Sequence, residues 1–97
     1  MDDAKELYRQ HMIDQIHAWE GHVAYLNASL PLLEGPARRE FDHRLRDLQR
    51  CNRIVFLRYK NLLMAHNDDQ WEEAQLDLDA AAANMQELLD EFILMPA

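Results

Sequence analysis

The chain has 97 residues, enough for one small core, so we expect a single domain over residues 1–97. Its net charge of −8 opposes general attraction to nucleic acid or to an anionic membrane. The single cysteine excludes an internal disulfide, and only two glycines and three prolines interrupt a composition that favours helix throughout.

The first helix is predicted over about residues 3–30. Asp3 and Glu6 have the three-residue spacing of a capped helix start, and Pro31 ends the helix because it lacks a backbone donor and restricts the residue before it. Apolar residues recur in alternating steps of four and three, the repeat of a helix that lies along other helices. This first inner seam comprises Met12, Ile16, Trp19, Val23, Leu26, Leu30 and Leu33, with Tyr8 and Ile13 beside it.

The second helix is predicted over about residues 36–66. Pro36 suits the first helical position, because its fixed φ is helical and its missing N–H is not needed there. We expect His66, at the far end, to interact with the negative pole of the helix dipole. The second inner seam comprises Phe41, Leu45, Leu48, Asn52, Val55, Tyr59, Leu62 and His66.

The third helix is predicted over about residues 69–95, since Asp69 and Glu72 have capping-box spacing and Pro96 stops the helix. Short connections between seams place consecutive helices antiparallel. The predicted fold class is therefore all-α, an up-down-up antiparallel three-helix bundle with coiled-coil packing. The third inner seam comprises Trp71, Ala74, Leu78, Ala81, Met85, Leu88, Phe92 and Met95.

Charge divides the last two helices. Residues 37–66 carry eight basic and three acidic side chains, whereas residues 67–97 carry nine acidic and no basic ones. An antiparallel pair that turns near residue 67 brings Arg44 to Glu91 and Arg58 to Asp77. Exposed ion pairs add little stability, so we expect these two, together with the amide of Asn52 in the inner seam, to set register and partner choice.

Two surface features suggest binding. Ile54, Leu57 and Leu76 map to the outward side of their helices, and such apolar residues indicate self-association or a protein partner. Phe56, Leu63 and Leu89 flank their seams, so we expect them to widen the core.

The second feature is a basic stripe with a seven-residue repeat, which is either a solvated face or a docking strip for an acidic protein segment or a nucleic-acid backbone; it comprises Arg39, Arg46, Arg53 and Lys60. No aromatic residues interleave with it as base stacking would need.

Catalytic and metal chemistry find no support in the pattern. Asp14 with His17, and Glu40 with His43, have the spacing of carboxylate-bridged di-iron bundles, but they fall off the inner seams. Cys51 lies beside a seam among arginines that would lower the pKa of its thiol somewhat. We therefore expect no enzyme, cofactor or metal, while a bundle that binds a small ligand or metal near Asn52 or the histidines stays the alternative.

The whole pattern resembles small bacterial three-helix coiled-coil proteins, some of them described as stress-responsive. The resemblance is carried by Tyr8, Trp19 and Leu26, by Leu45-Arg46-Asp47-Leu48, by Asp69-Gln70-Trp71-Glu72 and by Phe92. It implies the three-helix fold and a stress-related role, but that family has no agreed activity or catalytic residues to carry over.

Together these observations predict a non-enzymatic protein that binds itself or another protein. The unpaired Cys51 and the lack of a signal-type apolar segment predict a cytoplasmic location with no membrane partner.

Overall fold

In the computed structural model, which describes residues 3–93, the chain forms three long helices: α1 (Asp3–Ser29), α2 (Gly35–Leu63) and α3 (Asp68–Ile93). A single 3₁₀ turn, Leu30–Leu32, follows α1, and no strand occurs among the described residues. The helices form a rod of 54 × 19 × 18 Å. The all-α three-helix prediction is confirmed.

The connection from α1 to α2 follows the proline and glycine signals. Pro31 lies inside the 3₁₀ turn, where the N–H of Leu33 donates to the carbonyl of Leu30 at 3.2 Å. Gly35 has φ +65°, a left-handed conformation that favours glycine, and Pro36 occupies the first turn of α2. The chain thus reverses within a few residues, which makes α2 antiparallel to α1.

The turn from α2 to α3 differs from the prediction. α2 ends at Leu63, so His66 lies beyond the helix and is exposed rather than capping its carboxyl end. The capping residues of α3 lie two positions earlier than predicted. The Oδ1 atom of Asn67 accepts from the N–H of Gln70 at 2.9 Å, and the Oε1 atom of Gln70 accepts from the N–H of His66 at 2.8 Å. This reciprocal pair begins α3 at Asp68.

Cross-helix contacts fix the direction of each helix. Arg44 and Glu91 are in contact, as are Cys51 and Asn84, so α2 and α3 are antiparallel. Tyr8 contacts Trp71, which makes α1 parallel to α3. The backbones of α2 and α3 approach each other most closely, and α1 lies closer to α2 than to α3. The topology is the predicted up-down-up arrangement.

The three inner seams form the core. Their buried members are Met12, Ile16, Trp19, Leu45, Leu48, Val55, Tyr59, Leu62, Trp71, Leu78, Met85 and Phe92, joined by Cys51 and Leu89. Tyr8, Ile13, Ala74 and Ala81 pack against this core. At one end Phe41 and Phe92 form an edge-to-face pair with ring centroids 4.9 Å apart. Met95 lies outside the described residues.

Two residues expected to widen the core are exposed instead. Phe56 is 41% exposed and Leu63 is 51% exposed. Each follows a buried residue by one position, which turns its side chain about 100° away from the core. Leu89 is buried, as predicted.

Two buried polar atoms lack a hydrogen-bond partner within the described protein: Nε1 of Trp19 and Oδ1 of Asn52. An unpartnered buried acceptor costs free energy, because it has given up its hydration. The buried Oδ1 atom of the half-buried Asn52 side chain therefore has no hydrogen bond from the described protein to offset its lost hydration.

We expect Asn52→Leu to raise the free energy of unfolding by about 1–3 kcal/mol, since the substitution removes a buried amide oxygen that has no hydrogen-bond partner. Urea denaturation followed by circular dichroism measures the change. Asn27→Leu, the same substitution at an exposed position, is the matched control and should have little effect. A stability loss in Asn52→Leu alone would mean that the amide contributes favourably where it lies.

Candidate interaction surfaces

A second stripe of residues runs along α2 on its outward side. We call Ile54, Leu57, Asn61 and Met64 the outer seam of α2; they follow steps of three, four and three, and Met64 is the residue directly after the end of the helix. Its three apolar members are 40%, 51% and 70% exposed, in chain order. All four residues line one surface depression. The carboxyl half of α2 thus presents two coiled-coil stripes, of which only the inner seam is covered by α1 and α3.

Cationic side chains border the outer seam on both sides. Arg53 and Lys60 precede seam residues by one position, and Arg58 follows Leu57 by one position. The Lys60 ammonium lies 5.6 Å from the ring centroid of Phe56. The apolar stripe is therefore framed by positive charge, in the positions that select partners in coiled coils.

The structure places the three residues of the predicted partner surface on two different helices. Ile54 and Leu57 lie together, but Leu76 is on α3 and is 70% exposed. It is two residues away from both Ala74 and Leu78, which face the core, so it points about 160° away from them. Leu76 belongs to a different helix surface.

That second surface is acidic. We call Glu73, Leu76, Asp77 and Ala80 the outer face of α3; they are spaced as neighbours on a helix, and all four are exposed. Glu73 and Asp77 line a groove between α2 and α3 together with Asn61 and Met64 of the outer seam. The outer seam and the outer face therefore lie on the same side of the rod, at the same end.

The two predicted ion pairs differ in the structure. Nη1 of Arg44 lies 3.7 Å from Oε2 of Glu91, while its Nε lies 2.9 Å from Oε1 of Glu40 in the preceding turn. Arg58 and Asp77 line the same groove but form no ion pair with each other. Their role in setting register, like that of Asn52, stays a prediction.

All four residues of the basic stripe are exposed: Arg39, Arg46, Arg53 and Lys60. Arg46 is engaged within its own helix, since its Nη2 lies 3.1 Å from Oδ2 of Asp42. Lys60 lies over Phe56. Binding of a nucleic-acid backbone by this stripe stays a prediction.

Polar and aromatic side chains join α1 to α3 near their amino ends. Nζ of Lys5 lies 2.7 Å from Oδ1 of Asp68 and 5.2 Å from the ring centroid of Trp71, and this ion pair lowers the pKa of the Asp68 carboxyl. The Tyr8 hydroxyl donates to Oδ1 of Asp79 at 2.5 Å. Burial first, and then the hydrogen bond and charge of Asp79, raise the pKa of Tyr8 well above its ordinary value. The sequence offered no signal for Tyr8 with Asp79, because the two are far apart along the chain.

Cys51 is buried. Its Sγ lies 3.9 Å from the carbonyl oxygen of Ala81, and Nδ2 of Asn84 donates to it at 3.5 Å. Burial raises the pKa of the thiol, although the Asn84 bond opposes the shift. The expectation that neighbouring arginines lower this pKa is therefore wrong, because the side chain points into the core and away from them.

No group of three His, Cys, Asp or Glu side chains among the described residues is placed to share a metal ion. His17 and His43 are exposed, and Oδ2 of Asp47 is 3.9 Å from Nε2 of His43.

The Ser29 hydroxyl donates to the carbonyl of Tyr25 at 3.0 Å. Within residues 3–93, no helix has an apolar stretch long enough to cross a bilayer.

The residues that sequence reasoning missed are Asn61 on α2, Met64 directly after α2, and Glu73 and Ala80 on α3. The three-four-three spacing from Ile54 was visible in the sequence, but no interaction surface was predicted from it. The pairing of Glu73 with the outer seam depends on how α2 and α3 pack.

Comparison with known proteins finds no matching family model, no similar curated protein and no similar solved structure. The resemblance to three-helix coiled-coil proteins therefore stays a prediction.

We expect alkaline pH to destabilise the wild type more than Tyr8→Phe. The raised pKa of folded Tyr8 means that the unfolded chain loses its phenolic proton first, so stability is complete below about pH 10 and falls as pH rises beyond it. Urea midpoints measured on either side of that pH give the slope. Tyr25→Phe, at an exposed tyrosine, should retain the wild-type slope. Equal slopes in the wild type and Tyr8→Phe would contradict the assignment.

We expect the Cys51 thiol to react with a disulfide reagent at least about 100-fold more slowly in the native protein than in concentrated urea, because both access and thiolate formation require opening of the core. Absorbance of the released thiolate follows the reaction. The matched control moves the thiol to an exposed position, as Cys51→Ala with Gln49→Cys, and should react rapidly. Fast native reaction at Cys51 would contradict the buried placement.

Proposed function

We propose that this chain is a non-enzymatic helical-bundle protein that acts by binding a protein segment along the outer seam of α2. One observation carries the proposal: Ile54, Leu57 and Met64 form an exposed apolar stripe at coiled-coil spacing on a helix whose inner seam is already covered. An amphipathic helix laid along such a stripe buries apolar side chains in the usual manner of helix recognition.

The free energy gained by burying the apolar side chains of the outer seam supports binding. Fully burying one large aliphatic side chain contributes about 1.5–3 kcal/mol, and the three side chains retain 40–70% of their exposure. Their partial burial by a partner yields a few kcal/mol before the cost of association. The bordering Arg53, Arg58 and Lys60 add a preference for an acidic segment.

The placement of the reactive groups supports a role without catalysis. Cys51 is buried with a raised pKa, and the Ser29 hydroxyl is engaged by its own helix. Neither lies beside a base that would activate it. The lone Cys51 also favours a reducing compartment such as the cytoplasm, and the resemblance to stress-responsive bundles supports a stress-related role.

Site-specific photocrosslinking in the native cell tests the proposal. A photoreactive residue at Leu57 is expected to give discrete protein adducts, whereas one at Leu7, an exposed leucine on α1 that is 71% accessible, should not. Adding Ile54→Ser to the Leu57 probe should reduce the adducts about tenfold, because loss of one buried aliphatic group costs about 1.4 kcal/mol. Identical adduct patterns at both positions would contradict the proposal.

A further inference from the structure

We propose that the outer seam of α2 binds the outer face of α3 on a second copy of this chain, in a two-fold symmetric dimer. This inference rests on the proposed function, since both use the outer seam, and it names the partner.

The two surfaces complement each other in size. The outer seam presents three large apolar side chains, those of Ile54, Leu57 and Met64. The outer face of α3 combines the small Ala80 with a single large apolar residue, Leu76. Small residues let a facing helix approach closely, and alternation of large with small side chains fills the space between helices.

Their charges are opposite. Arg53, Arg58 and Lys60 border the outer seam, whereas Glu73 and Asp77 lie within the outer face, and α3 contains no basic residue between Asp68 and Ile93. An α2–α2 contact would oppose cations to cations, and an α3–α3 contact would oppose carboxylates to carboxylates. Only α2 against α3 brings unlike charges together, and like-charge contacts are costly.

Symmetry permits this pairing on both sides at once. The outer seam and the outer face lie on the same side of the rod, because Asn61, Met64, Glu73 and Asp77 line one groove. A two-fold axis parallel to the helices places each α2 over the α3 of the other copy, antiparallel to it. A two-fold axis that runs perpendicular to the helices, within the interface, instead places each α2 against the α2 of the other copy. The charge layout therefore selects the parallel axis.

The pairing repeats one that the chain already makes. Within one copy, α2 and α3 pack antiparallel, with Arg44 in contact with Glu91. In the dimer, two α2–α3 pairs form a four-helix arrangement with α1 of each copy outside it.

Charge exchange in the full-length chain tests the pairing. One variant, Arg53→Glu with Lys60→Glu, makes the border of the outer seam acidic. The other, Glu73→Lys with Asp77→Lys, makes the outer face basic. Sedimentation equilibrium measures association, and urea denaturation verifies that each variant remains folded. All four side chains are exposed, so folding should be retained.

We expect the wild type to dimerise at micromolar concentration and each variant alone to associate at least tenfold more weakly. An equimolar mixture of the two variants should restore the dimer, because each reversed surface then meets its complement. Recovery in the mixture distinguishes charge pairing from a general loss of stability, which mixing cannot repair.

Three results would overturn the inference. A wild type that stays monomeric at high micromolar concentration excludes the second copy, and the proposed function then survives only if the Leu57 probe captures a different protein. A dimer that persists in Glu73→Lys/Asp77→Lys alone excludes the outer face of α3 as the surface that the outer seam binds. Two weakened variants without recovery on mixing exclude the α2–α3 pairing.

Discussion

The whole molecule depends on burying the inner seam of α2 between the other two helices. Leu45, Leu48, Val55 and Leu62 are almost entirely removed from water by α1 and α3. Most of the stability of helices in proteins comes from packing of their apolar face rather than from intrinsic propensity, so this burial is what keeps α2 helical over its 29 residues. The packing of α1 and α3 on one side of α2 also determines which of its residues are left outside.

Because α1 and α3 pack on one side of α2, the residues on its other side remain exposed. A helix that supplies the centre of a bundle usually presents a polar surface to solvent, but the carboxyl half of α2 presents Ile54, Leu57 and Met64 within a cationic border. The acidic α3 partly compensates for this positive charge inside the chain. Strong segregation of charge between two neighbouring helices is a means of choosing partners as well as a means of holding them.

The spacing of apolar residues predicted the fold, the helix directions and nearly all of the core, because long seams of Leu, Ile, Val and aromatic side chains have few ways to be buried. It did not predict the turn from α2 to α3, where the N–H of Gln70 donates to the Asn67 side chain and the N–H of His66 donates to the Gln70 side chain, because periodicity does not reveal such bonds. It also misjudged the pKa of the Cys51 thiol, which burial raises against the opposing effect of the hydrogen bond from Asn84 on another helix. Leu76 was grouped with Ile54 from outward orientation alone, although outward directions differ from helix to helix.

The uneven contacts among the helices imply an order of loosening. α2 and α3 approach each other closely along the rod, whereas α1 reaches α3 through long side chains such as those of Lys5 and Tyr8 near one end. We therefore expect α1 to separate from the bundle transiently while the α2–α3 hairpin persists. The backbone amides of α1 would then exchange hydrogen faster than those of α2 and α3. Such a partly opened molecule would expose the side of α2 that α1 covers in the closed bundle. α1, the least tightly packed helix, would then control access to that side.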